Sequence, residues 1–147
     1  MKNLIAAAAF ATGMTFAAGA AWAEGQTHHI VFHVDENDPH VMNMTLNNVA
    51  NVTSYYAAQG DTVVAEVVAY GPGLNMFVVG KSPVADRISA MSLEMEGLTF
   101  AACGNTHRKM SEKAGHDVAL LDEAGIVPSG VVRIVELQQQ GYAYVRP

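Results

Sequence analysis

The sequence has one cysteine, Cys103, in 147 residues. A single cysteine cannot close an internal disulfide, so a disulfide scaffold is excluded and the fold must rest on its core. No C-x-x-C pair occurs, which removes the resolving thiol of a disulfide oxidoreductase. Basic side chains are scarce: eight Lys and Arg stand against 14 Asp and Glu, for a net charge of −6. That balance argues against nucleic acid and anionic membrane as partners, because both select basic patches. Glycines at Walker or dinucleotide spacing are missing. So are internal repeats, linkers and low-complexity tails.

The amino end carries the layout of a secretory signal. Lys2 precedes an apolar stretch from Leu4 to Ala20, and Ala21-Trp22-Ala23 gives a small-x-small cleavage site before Glu24. The stretch is broken by Gly13 and Gly19 and is slightly short for a membrane span of roughly 20 residues. No twin-Arg pair precedes it and no cysteine directly follows the cleavage site. Residues 1–23 are therefore expected to be a signal peptide, and 24–147 a single domain of 124 residues. Loss of Lys2 leaves seven basic against 14 acidic side chains, net −7. The expected product is periplasmic, soluble and free of the membrane after cleavage. In an oxidising compartment an unpaired cysteine is an intermolecular partner, a reactive thiol, or an inert buried residue.

Strand-like and helix-like segments alternate through the domain. His28–Val34 reads as a strand with Ile30, Phe32 and Val34 on one face. Asp38 then caps a helix with Pro39 at its first position, and Met42, Leu46, Val49, Val52 and Tyr56 form its apolar stripe up to Gly60. Thr62–Tyr70 is Val-rich and nearly continuous, as in a strand covered on both faces. Gly71-Pro72-Gly73 breaks it as a tight turn. Ser82-Pro83 opens a second helix with Val84, Ile88, Met91 and Met95 inward, ended by Gly97. Leu98–Ala102 is a third strand that runs into Cys103, and a polar helix follows over Thr106–Ala114. Ile126-Val127 reads as a short fourth strand, Ser129–Gln140 as the last helix, and Tyr142–Arg146 as the final strand. This order predicts βαβ units, a mainly parallel sheet and right-handed crossovers. Ligands and chemistry in such sheets gather at the carboxyl ends of the strands. The loops after Val34, Tyr70 and Ala102 thus share one edge.

Cys103 sits on that edge, where a strand hands over to a helix. Backbone N–H groups and the positive end of the helix dipole would face its sulfur, with His107, Arg108 and Lys109 in the first turn. All favour thiolate, the nucleophilic form. The competing reading is a small buried hydrophobe, a common fate for free cysteine. Nucleophilic hydrolysis needs an oriented base, and His107, four residues along a helix, is expected to point elsewhere. A lone thiolate can still hold sulfane sulfur as a persulfide, so sulfur carriage asks least of the sequence.

Other constellations are weaker. Gly71-Pro72-Gly73 reads as a plain turn, though Tyr70 beside it is placed to contact a substrate at Cys103. Asp35-Glu36-Asn37-Asp38 lacks the remainder of a calcium loop and reads as helix capping. His29 and His33 share a strand face but lie roughly 13 Å apart, too far to share an ion. Met42, Met91 and Met95 fall on core stripes. No metal and no cofactor is expected. The candidate site is Cys103 as the reactive residue, with Tyr70, Gly71, Gly73, Gly104, Asn105 and Thr106 around it.

Four segments in this order, HVDENDP, VVAYGPGLNM, FAACGNT and VPSGVVRIVELQQQGYAYVRP, give a chain that resembles the DsrE/DsrF-like family. The resemblance covers nearly all of the mature chain. It implies a three-layer αβα sandwich on a parallel sheet of about five strands, assembly into homo-oligomers, often trimers or hexamers, and a role in sulfur metabolism. It also maps the persulfide-bearing cysteine of relay members onto Cys103, with a sulfur donor or acceptor protein as partner. The relay members act in the cytoplasm, whereas this chain carries an export signal. The expected function is periplasmic persulfide carriage, by a carrier rather than a turnover enzyme, with the Asn105–Lys109 turn stabilising the anion. The alternatives are a module of the same fold that binds a small ligand without covalent chemistry, and a structural oligomer with Cys103 buried at an interface.

Overall fold

A computed structural model describes residues 25–147; the expected signal segment, 1–23, lies outside them. Five strands form one sheet: β1 (Thr27–Val34), β2 (Thr62–Ala69), β3 (Leu98–Cys103), β4 (Ala124–Val127) and β5 (Ala143–Val145). Their spatial order is β4-β3-β2-β1-β5, and every pairing is parallel. Four α-helices connect them: α1 (Pro39–Ala57), α2 (Ala85–Glu94), α3 (Gly104–Ala114) and α4 (Gly130–Gln139).

Crossover handedness explains the layers. From β1 to β4 each new strand is added on the same side of the last, so right-handed crossovers keep α1, α2 and α3 on one face. The chain then returns across the sheet to place β5 beside β1. That reversal of direction puts α4 on the opposite face, giving an αβα sandwich with unequal outer layers. The larger core holds Ile30, Phe32 and Val34 of β1, Met42, Leu46 and Val49 of α1, and Ile88 of α2. A smaller one holds Val31, Val68 and Ala101 against Ile134 and Leu137 of α4. The two-residue period of each strand divides its side chains between the cores.

Local signals act as their chemistry requires. The Asp38 carboxylate accepts from the His40 N–H at 2.7 Å and caps α1. Gly115 ends α3 in the left-handed conformation, φ 75°. Three expectations need adjustment. Gly71–Phe77 is not a plain turn but a 3₁₀ helix whose Leu74, Met76 and Phe77 enter the large core. α2 starts at Ala85, two residues after Pro83, because the Ser82 hydroxyl accepts from the Val84 N–H and delays the first turn. α3 starts at Gly104 rather than Thr106, which makes Cys103 its N-cap residue.

β2 contains a charged residue inside its apolar run. The Glu66 carboxylate is buried on the α4 face, where Arg133 donates to both its oxygens at 2.7 Å. This bidentate pair ties α4 to the middle of the sheet, and it holds Arg133 above the usual guanidinium range.

Candidate functional site around Cys103

Cys103 ends β3 and is 5% exposed. It follows Ala101 by two positions, so its side chain shares the α4 face of the sheet. The first residue of α4, Gly130, packs directly on it. A Cβ at position 130 would stand 3.2 Å from Cys103 Cβ and 3.0 Å from Tyr70 Cδ1, so only glycine brings α4 this close. Two helix N-termini therefore converge on one sulfur. The N–H groups of Asn105 and Thr106 from α3 and of Gly130 from α4, with the Thr106 hydroxyl, act on the thiol as nearby dipoles, and none forms a hydrogen bond to the sulfur.

The balance at the thiol is a contest of opposing effects. Burial pushes the Cys103 pKa up; the Thr106 hydroxyl and then the Gly130, Thr106 and Asn105 amides pull it down, and the net result is below the ordinary thiol value. No short capping bond forms to the side chain, so the thiolate is held by several converging N–H and O–H dipoles rather than by one contact. Thr106 is itself held in place. Its Oγ1 accepts the Gly71 N–H at 3.0 Å, which leaves the hydroxyl proton free to face the sulfur. Thr106→Val is expected to raise the thiol pKa and to slow alkylation by iodoacetamide at neutral pH about tenfold, the worth of one charge-assisted hydrogen bond. A pH–rate profile of the two proteins checks this.

The charged residues of the first turn of α3 do not contribute as expected. His107 Nε2 is bonded to the Val118 carbonyl oxygen at 2.7 Å, so the ring is turned from the sulfur. Arg108 pairs with Glu112 one turn on. Lys109 lines an outer groove with Thr106 and Gly71. The anion is favoured by Asn105, Thr106 and Gly130, not by the Arg108 and Lys109 cations.

Of the residues named from sequence, Tyr70, Gly71, Asn105 and Thr106 come together around Cys103. Gly104 starts α3 against the end of β4, where a Cβ would meet the Val127 carbonyl at 2.9 Å. Gly73 lies against the β1 backbone: a Cβ there would stand 2.3 Å from the Val34 carbonyl oxygen. Gly130 escaped sequence reasoning because it is 27 positions from Cys103 and approaches only through the β3–β4 pairing. Its one signal was the Ser-Gly pair at the start of a helix.

Behind Tyr70 lies a second polar set. The His33 ring packs on Tyr70 with centroids 4.5 Å apart, and Nδ1 shares a 2.7 Å hydrogen bond with the Tyr144 hydroxyl. Nε2 is buried without a partner. Burial lowers the His33 pKa against the pull of the Asp35 carboxylate, with Arg146 adding to the lowering. A histidine whose folded pKa is depressed supplies stability above its unfolded value of 6.5, lost as pH falls through the folded value. Stability is thus expected to decline below about pH 6.5, and His33→Phe to flatten that decline in urea titrations run across the range. The acidic residues after β1 also have partners. Arg146 donates to Asp35 and Glu36, each at 3.0 Å, and so ties the carboxyl end of the chain to this loop. Among the described residues no group of three metal-ligating side chains occurs.

Comparison with known proteins agrees with this architecture. The structure of a protein of unknown function from Methanobacterium thermoautotrophicum is similar, with a TM-score of 0.67 and 35% sequence identity. The match covers 82% of this chain and 99% of that one. No curated protein matches the chain. The model of the DsrE/DsrF-like family matches residues 6–147. The chain, an α/β protein with a five-stranded parallel sheet, belongs to the DsrE/DsrF-like family, and that membership suggests a role related to sulfur metabolism.

Proposed function

We propose that this protein is an exported sulfur carrier that holds sulfane sulfur as a persulfide on Cys103. The observation that carries the reading is the convergence of two helix N-termini and the Thr106 hydroxyl on a lone, buried sulfur. Two helix starts and a hydroxyl beside one thiol are more than packing of an inert cysteine requires. They favour the thiolate, and they would equally favour the persulfide anion, which is also a sulfur-centred negative charge.

The step is a sulfur transfer without net oxidation. The Cys103 thiolate attacks the outer sulfur of a donor persulfide or polysulfide, R–S–SH. A new S–S bond forms, the donor S–S bond breaks, and RS⁻ leaves with the electron pair. Delivery is the reverse attack by an acceptor thiolate on the outer sulfur, with the Cys103 thiolate as leaving group. A depressed pKa makes it a good one. No second cysteine competes by closing a disulfide, so the sulfur stays until an acceptor arrives. Treatment of the loaded protein with cyanide is expected to release about one thiocyanate per chain. Release that is absent, or equal in Cys103→Ser, overturns the reading.

The amino-terminal signal layout supports a periplasmic setting, where cell fractionation should find the protein cleaved after Ala23. Among the described residues no helix is long and apolar enough to cross a membrane. The outer layer formed by α4 alone leaves Val131, Val132 and Val135 exposed. These side chains support assembly into a homo-oligomer through the α4 face.

A further inference from the structure

The cations of this acidic chain are sorted by type. Every arginine of the described residues is engaged: Arg87 with Asn43 and Asn47, Arg108 with Glu112, Arg133 with Glu66, and Arg146 with Asp35 and Glu36. Lys81, Lys109 and Lys113, the lysines of the described residues, form no ion pair there. They are also gathered in one place. Lys109 and Lys113 are one turn apart on α3 and line a groove of about 430 Å³ with Gly71, Pro72, Asn75 and Met110. An adjoining groove of about 370 Å³ shares Asn75, Met110 and Lys113 and adds Lys81. The two make one trough, with an apolar floor and a rim of three lysines. No acidic side chain lines it. One wall is Thr106, whose hydroxyl faces the Cys103 sulfur, and Gly71, which donates to that hydroxyl.

A protein of net charge −6 repels acidic partners over most of its surface. Concentrating the free cations beside the thiol reverses that repulsion at one spot. The trough is far larger than a small oxoanion needs, and its floor is apolar. The geometry points to a docking groove for an extended, acidic and partly apolar segment of a partner protein. Bound there, the segment lies along α3 and brings a partner thiol to the carboxyl edge of the sheet. The inference rests on the carrier reading and names the partner's chemistry. Lysine suits the task because its ammonium attracts carboxylates at variable geometry while its stem covers apolar surface.

The test uses the mature protein and a fluorescent peptide alternating glutamate with leucine, with a glutamine–leucine peptide as neutral control. Anisotropy titration is expected to show the acidic peptide binding at least about tenfold more tightly than the neutral one, with affinity falling as salt rises. The charge-reversed triple variant Lys81→Glu, Lys109→Glu, Lys113→Glu should lose about tenfold or more, while its Cys103 alkylation by uncharged iodoacetamide stays as in the parent. Equal binding of the two peptides, or a triple variant that binds like the parent, overturns the inference. So does displacement by thiosulfate beyond that of sodium chloride at equal ionic strength, which would mark a small-anion site. Polysulfide loading of the same proteins separates the two claims. Failure to load with peptide binding intact removes the carrier reading alone, whereas normal loading with no peptide binding removes the groove alone.

Discussion

Replacing Arg133 with alanine is expected to lower the stability of the fold by about 3 kcal/mol, and the melting temperature by on the order of 10 °C. Arg133 supplies the two donors to the Glu66 carboxylate, and Glu66 stands in the middle of β2 under α4. Without the guanidinium a charged carboxylate is left buried on the α4 face without its partner. The estimate sits at the low end for a broken buried pair because the Arg133 side chain is 32% exposed. α4 also carries Gly130, so the variant is expected to loosen the donor set at Cys103, raise the thiol pKa and slow alkylation of the thiol at neutral pH when it is measured below the melting transition. Glu66→Gln, which keeps an acceptor and removes the charge, should cost less. The double variant Arg133→Ala, Glu66→Ala should recover part of the loss, because no unpaired charge is then left inside. Urea melts of the four proteins give the coupling directly. Single and double variants whose losses simply add would mean the pair is no more than surface packing.

Much of this arrangement was legible in the sequence, for physical reasons. Strand period, helix stripe and capping are local, so Asp38-Pro39 and the Met42-Leu46-Val49 stripe announced α1, and Val-rich β2 announced a strand covered on both faces. Parallel order and crossover hand then placed Tyr70 and Cys103 on one edge without any long-range information. What the sequence hid depends on pairings between distant positions. Glu66 and Arg133, 67 residues apart, read separately as ordinary polar residues and meet only because the last crossover reverses direction. Gly130 reaches Cys103 through the β3–β4 pairing, in which Cys103 stands opposite Val127. His33 shares a strand face with His29 in the sequence, but its partner is distant: its Nδ1 is bonded to Tyr144 across the β1–β5 pair. Nearness in sequence suggests that the cations next to Cys103 stabilise its thiolate. On a helix their side chains turn outward, and the backbone N–H groups face the sulfur instead.

The second large effect concerns sulfur loading itself. Cys103 is the only thiol in the chain, so Cys103→Ser leaves no atom able to form a persulfide. Serine is close to cysteine in size and suits a helix N-cap, so the fold should survive the change. The variant thus isolates the chemistry from the scaffold. The decisive measurement is the intact mass of the mature protein after brief exposure to polysulfide and removal of excess reagent. The wild type is expected to gain about 32 Da, one sulfur atom, and to lose it to dithiothreitol, while Cys103→Ser gains nothing. A wild-type mass that does not change, or an equal gain in Cys103→Ser, would contradict the account.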